Sequence, residues 1–152
     1  MKSDQISQKE IYREGSNLAL AGYQLIEALL KTYIKNYFEI AKYFLAGKLH
    51  FGFTGRDYDE APLGRLLQVF SKISNDEKLL KDLRSEVQHR DQIAHRSMLV
   101  LFAKTGPTSE ELSSMISELE VRNRKINELL KRLHAKHDEL ISPWNEVASV
   151  DS

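Results

Sequence analysis

The chain has 152 residues, with 22 Lys plus Arg against 22 Asp plus Glu, and no cysteine. Apolar residues make up 41%, and the seven glycines raise that share to roughly 46%, inside the globular range of about 45–50%; the length suits one domain. These figures exclude a disulfide scaffold, a thiol nucleophile and a zinc–thiolate site, and a balanced charge excludes strong whole-chain attraction to nucleic acid while leaving room for a local basic patch.

No apolar run approaches the roughly 18 residues of a membrane span, and the opening residues lack the apolar core of a signal peptide. A cytoplasmic protein with no membrane role is the default expectation. No stretch alternates as a strand would, so the expected fold class is all-α: a four- to five-helix, up-and-down bundle. A single domain is expected over 16–144, with residues 1–15 flexible or a short separate helix and 145–152 a tail.

The first helix is read from Gln8 to Ala46. Leu18, Ile26, Leu29, Leu30, Tyr33, Tyr37, Phe38, Ala41 and Phe44 recur at intervals of three and four, the helical period. Gly15 weakens its start, and Gly47 supplies a stop. Its aromatics, including Tyr23 and Tyr43, read mainly as core. Lys48 to Ala61 reads as a loop, whose Phe51, Phe53 and Tyr58 either fold back onto the helices or form part of a partner surface; His50 there has no visible partner. A short second helix opens at Pro62, a residue suited to the first helical position, and carries Leu63, Leu66, Leu67, Phe70 and Ile73. Ser74, Asn75 and Asp76 supply a break and a cap.

The third helix spans Glu77 to Lys104 and ends at Gly106 and Pro107. The fourth begins with a capping box, Thr108 followed by Glu111, and is expected to stop at Ser142 and Pro143. Leu112, Leu119, Ile126, Leu133 and Leu140 are spaced by seven, with Met115, Ile116, Leu129 and Leu130 at the offset positions and a polar gap at Arg122 or Asn123. Such a long seam suggests a second subunit. The same helix has a basic block: Arg122, Arg124, Lys125, Lys131, Arg132 and Lys136. This is either an RNA-backbone track or a solvated face that pairs with acidic residues. His134 and His137, three apart, read as a solvated or seam-edge pair rather than a metal site.

The third helix holds the residues with most chemistry. At about 100° per residue, with Arg90 at 0°, an apolar stripe of Leu83, Val87, Ala94, Met98 and Leu101 is centred near 50°, with Arg90 on one shoulder and His95, near 140°, on the other. Asp91 is four residues before His95, a spacing that supports a helical pair. The bland reading is edge residues that snorkel or bind a neighbouring helix. The chemical reading is metal-independent phosphodiester cleavage. A neutral imidazole moves a proton near pH 7, and a guanidinium grips a phosphate and stabilises its extra transition-state charge.

Arg90, the intervening Asp91 to Ala94, and His95 resemble the R-x4-6-H motif of the HEPN superfamily. The likeness spans roughly residues 18–102: a long first helix, a short second helix, then the motif helix. It implies an all-helical fold, often dimeric, and in many members a metal-independent endoribonuclease of toxin–antitoxin, phage-defence or RNA-processing systems, whose motif Arg and His from two subunits share one site. Carried over, the catalytic pair is Arg90 and His95. Asp91, where Asn is common, either orients His95 or binds a basic group. RNA would be the substrate, the homodimer would form through the third helix and the heptad seam, a regulatory or antitoxin protein would restrain it, and no cofactor or metal is called for. The alternatives are a non-catalytic helical interaction module and a nucleotide-binding accessory domain of a nucleotidyltransferase.

Overall fold

A computed structural model describes the backbone of residues 2–150 and the side chains of residues 3–146. Four α-helices follow one another: α1 (Lys2–Leu45), α2 (Leu63–Ile73), α3 (Glu77–Phe102) and α4 (Ser109–Val150). A 3-10 turn, Gly55–Tyr58, lies between α1 and α2, and no strand occurs among the described residues. The result is an all-α, four-helix, up-and-down bundle in which α3 runs against α1 and α4. No helix of the described residues is long and apolar enough to cross a membrane.

The helix ends follow local chemistry. Gly47 takes a positive φ of 76°, and the turn after Leu45 closes on that residue's carbonyl. The Asp76 carboxylate accepts the Leu79 amide at 3.0 Å and caps α3. At the start of α4 the Glu111 amide donates to Thr108 Oγ1 (3.2 Å) while the Thr108 amide donates to Glu111 Oε2 (3.0 Å), so two helix-end amides are satisfied reciprocally.

The first 15 residues do not form a separate unit; from Lys2 on they belong to the same helix as the rest of α1. Gly15 is there for packing. A Cβ at Gly15 would touch Leu119 Cδ1 at 3.4 Å, and one at Gly22 would come within 2.5 Å of Ile126 Cγ2. These two glycines let α1 and α4 lie parallel and close, and the α1–α4 interface is the largest in the molecule. It covers the heptad seam: Leu112, Leu119, Ile126 and Leu133 are all buried. The partner of that seam is therefore α1 of the same chain, and the seam gives no reason to invoke a second subunit. The polar gap has its own use, since Asn123 Nδ2 donates to the Gly15 carbonyl at 3.1 Å.

Pro143 does not end α4, which continues to Val150; residues 151–152 of the expected tail lie outside the described residues. Beyond the proline, the Trp144 ring packs edge-on against Tyr43 with centroids 4.7 Å apart. Phe51, Phe53 and Tyr58 fold back on Phe38, with ring centroids 5.9, 5.9 and 6.0 Å away. Tyr23, Ile26, Leu30, Phe70 and Leu83 form the centre of the core. Leu18, Tyr43 and Phe44, expected inside, are exposed.

Candidate functional site

The buried face of α3 is not the one that its apolar residues suggest. Leu79, Leu83, Glu86, Ile93 and Val100 point inward. On the same wheel these centre near 320°, roughly 90° from the expected stripe. Met98 and Ala94, assigned to the core face, are exposed. The rotation has one cause: a carboxylate is part of the core.

Glu86 is fully buried. Its Oε1 accepts from Arg122 Nη1 at 2.6 Å and its Oε2 from the Tyr23 hydroxyl at 2.8 Å. Arg122 is the polar interruption in the α4 seam, so α1, α3 and α4 are tied at one level by a charged, hydrogen-bonded triad. A buried charge is tolerated when paired and bonded in this way. Burial, first, and then the bond to Glu86 push the Tyr23 phenol far above the ordinary tyrosine range, so it remains a donor.

The same rotation decides where the expected catalytic residues stand. Arg90 lies at the edge of the buried face, about one third exposed. Its Nη2 is 3.4 Å from Glu27 Oε1 and its Nη1 is 3.5 Å from Asp91 Oδ1. Asp91 thus faces Arg90, and no hydrogen bond joins it to His95. His95 falls near 140° on the wheel, opposite the buried face. It is exposed, without a hydrogen-bond or ion-pair partner among the described residues. Arg90 and His95 share a helix but no cavity. Around His95 the surface is apolar: Met98, Leu99 and Phe102 are 62, 54 and 75% exposed.

Two concave features lie between α3 and α4, where the two helices touch little. One is a groove of about 400 Å³ floored by Tyr12, Ile93 and Leu119, with His89, Arg96 and Arg122 on its walls. The Arg96–Glu118 ion pair, 3.3 Å, spans it. The other, of about 650 Å³, sits at the α3–α4 joint between Leu99, Val100, Ala103, Pro107 and Met115. His89 and Arg96, neighbours of the expected site residues in sequence, line the first groove.

Half of the basic block of α4 is paired inside the chain. Besides Arg122, Arg132 Nη1 binds Asp82 Oδ2 at 2.6 Å, and Lys136 Nζ lies 3.4 Å from Asp76 and 3.3 Å from Glu139. The Arg132 hydrogen bond holds the Asp82 carboxyl below its usual range. For Asp76 the Leu79 amide is the main cause of a similar depression. Lys136 is raised, chiefly by Glu139. His137 is a seam-edge residue, its Nε2 2.7 Å from Asn36 Nδ2. No cluster of three or more His, Asp or Glu able to hold a metal occurs among the described residues.

No match to known proteins was found. The family models, the curated proteins and the solved structures each gave no match to this chain.

Sequence reasoning missed Glu86 as a core residue; Tyr23, read as core, is buried, but its bond to Glu86 was not foreseen. The available signal was the pairing of two anomalies: an Arg interrupting the apolar seam of α4, and a Glu seven residues before Ile93 on α3.

Proposed function

We propose that the protein is a helical protein-interaction module that works through the apolar end of α3. The observation that carries this reading is the cluster of Met98, Leu99 and Phe102, all more than half exposed within two turns and next to the apolar groove at the α3–α4 joint. Contiguous exposed apolar surface of this kind marks interaction sites, and a groove between helices suits the apolar stripe of a partner helix. Arg90 adds support: two carboxylates already occupy its guanidinium, as in an interface or structural network. A photo-crosslinking amino acid at Phe102, compared with the same residue at Lys78 on α3, tests the reading in cells. A discrete adduct at Phe102 that disappears with Leu99→Ser is expected; equal labelling from both positions refutes it.

A second reading is a HEPN-type endoribonuclease. What favours it is His95, an exposed imidazole with no partner, five residues from a partly exposed arginine. In this reading a ribose 2′-hydroxyl attacks the adjacent phosphate. His95 moves the proton, Arg90 releases Glu27 to hold the phosphate, and Asp91 tunes Arg90. The bond to the 5′-oxygen breaks, leaving a 2′,3′-cyclic phosphate and a 5′-hydroxyl. RNA is then the substrate, and a protein that covers the apolar end of α3 is the restraint. RNA cleavage that persists in EDTA and is lost in both His95→Ala and Arg90→Ala would establish it over the first reading.

A further inference from the structure

From Ile11 to Thr32 the face of α1 opposite the core has no partner among the described residues, yet it is patterned; further along, the turn at Gly55 packs on Lys35. Ile11, Leu18 and Leu25 are spaced by seven and are 49, 62 and 56% exposed. Ala21 and Ala28, also exposed, take the offset heptad position, which Glu14 holds one heptad earlier, and Thr32 follows Leu25 by seven. Large residues therefore occupy one seam position and small ones the other. This is a coiled-coil seam on a helix whose opposite face is already filled by α3 and whose flank is filled by α4.

We infer that a second copy of this chain covers it, with the two α1 helices antiparallel about a two-fold axis at the level of residue 23. Three features select this occupant. In antiparallel register, Leu18 of one copy faces Ala28 of the other and Ala21 faces Leu25, so both leucines meet an alanine. Parallel pairing instead sets Leu against Leu and Ala against Ala, which leaves voids, and brings the two Glu14 side chains together. The charges also agree: Glu10 and Glu14 at one end of the face lie opposite Lys31 and Lys35 of the second copy, because the axis exchanges the two ends. A two-fold interface must be complementary to itself, and this one is so in both size and charge.

The pairing has a consequence for α3. Tyr23 and Glu27 meet α3 on the side of α1 facing away from the seam. In the dimer the two α3 helices stand on opposite outer sides, about 24–30 Å apart at 8–10 Å per helix layer. The dimer then presents two separate apolar α3 ends, and the Arg90/His95 pairs of the two copies do not meet. The inference stands independently of the interaction reading, since it concerns a different helix face.

Sedimentation and cross-linking test it, and the absence of cysteine makes single-cysteine variants clean. Wild type at ~100 μM is expected at twice the 17.5 kDa chain mass, and Leu18→Glu/Leu25→Glu at the single mass with unchanged helical circular dichroism. That corresponds to weakening by more than about 100-fold. Glu10→Lys/Glu14→Lys weakens the dimer, and adding Lys31→Glu/Lys35→Glu restores it. Mild oxidation of Gln24→Cys is expected to give a covalent dimer, and His95→Cys is not. Monomeric wild type, a dimer indifferent to Leu18→Glu/Leu25→Glu, or cross-linking at His95→Cys but not at Gln24→Cys would each overturn it.

Discussion

Replacing Arg122 by Ala probes the charged triad most directly. The substitution leaves the Glu86 carboxylate with no cation, at a position with 0% exposure. Removing one partner of a buried ion pair costs about 3–5 kcal/mol. Arg122 itself is about one quarter exposed, so water entering its place moderates the loss, and about 3 kcal/mol is expected. At about 2–4 °C per kcal/mol for a domain of this size, Tm falls by roughly 6–12 °C. Chemical denaturation followed by circular dichroism at pH 7 gives the same quantity independently. The triad makes one further demand. Replacing the whole group, as in Tyr23→Phe/Glu86→Leu/Arg122→Met, restores stability to near wild type or above, because an apolar cluster of similar volume has no ions to desolvate. A loss under about 1 kcal/mol for Arg122→Ala would refute the argument that Arg122 holds the buried Glu86.

Four other outcomes are expected. Gly22→Ala puts a methyl group 2.5 Å from Ile126 Cγ2; overpacking of about 1–3 kcal/mol outweighs the gain in helix propensity, and in thermal melts the double variant with Ile126→Ala loses less than the sum of the two single changes. Gly64→Ala, with nothing within 4 Å of the new Cβ, stabilises α2 by about 0.5–1 kcal/mol. Asp76→Ala removes the α3 cap at a cost of about 1 kcal/mol, read as a lower denaturation midpoint. Asp76 and Asp82 have carboxyl groups lowered in the folded state, so their contribution is present above the unfolded value of about 3.9 and is lost as pH falls through the lower folded value; Asp82→Asn therefore flattens the decline of stability with acid, measured by urea titration from pH 5 to pH 2.

What the sequence alone determined was set by neighbours along the chain. The Thr108/Glu111 box, the Asp76 cap and the Gly47 stop each depend on a few consecutive residues, and each marks a helix end. The spacing by seven on α4 identified a buried seam, because periodicity reports that a face is covered. It does not report by what, and only the tertiary structure shows that α1 covers it, admitted by Gly15 and Gly22. The same limit explains α3. Its apolar residues outnumber the places available in the core, so two stripes compete on one helix, and hydrophobicity alone selects the stripe containing Met98 and Leu101. The chain buries the other, which contains Glu86, because Arg122 and Tyr23 arrive from helices 36 and 63 residues away. A carboxylate counts as polar until its partners are known; with both bonds made it is a core residue, and its position turns His95 outward.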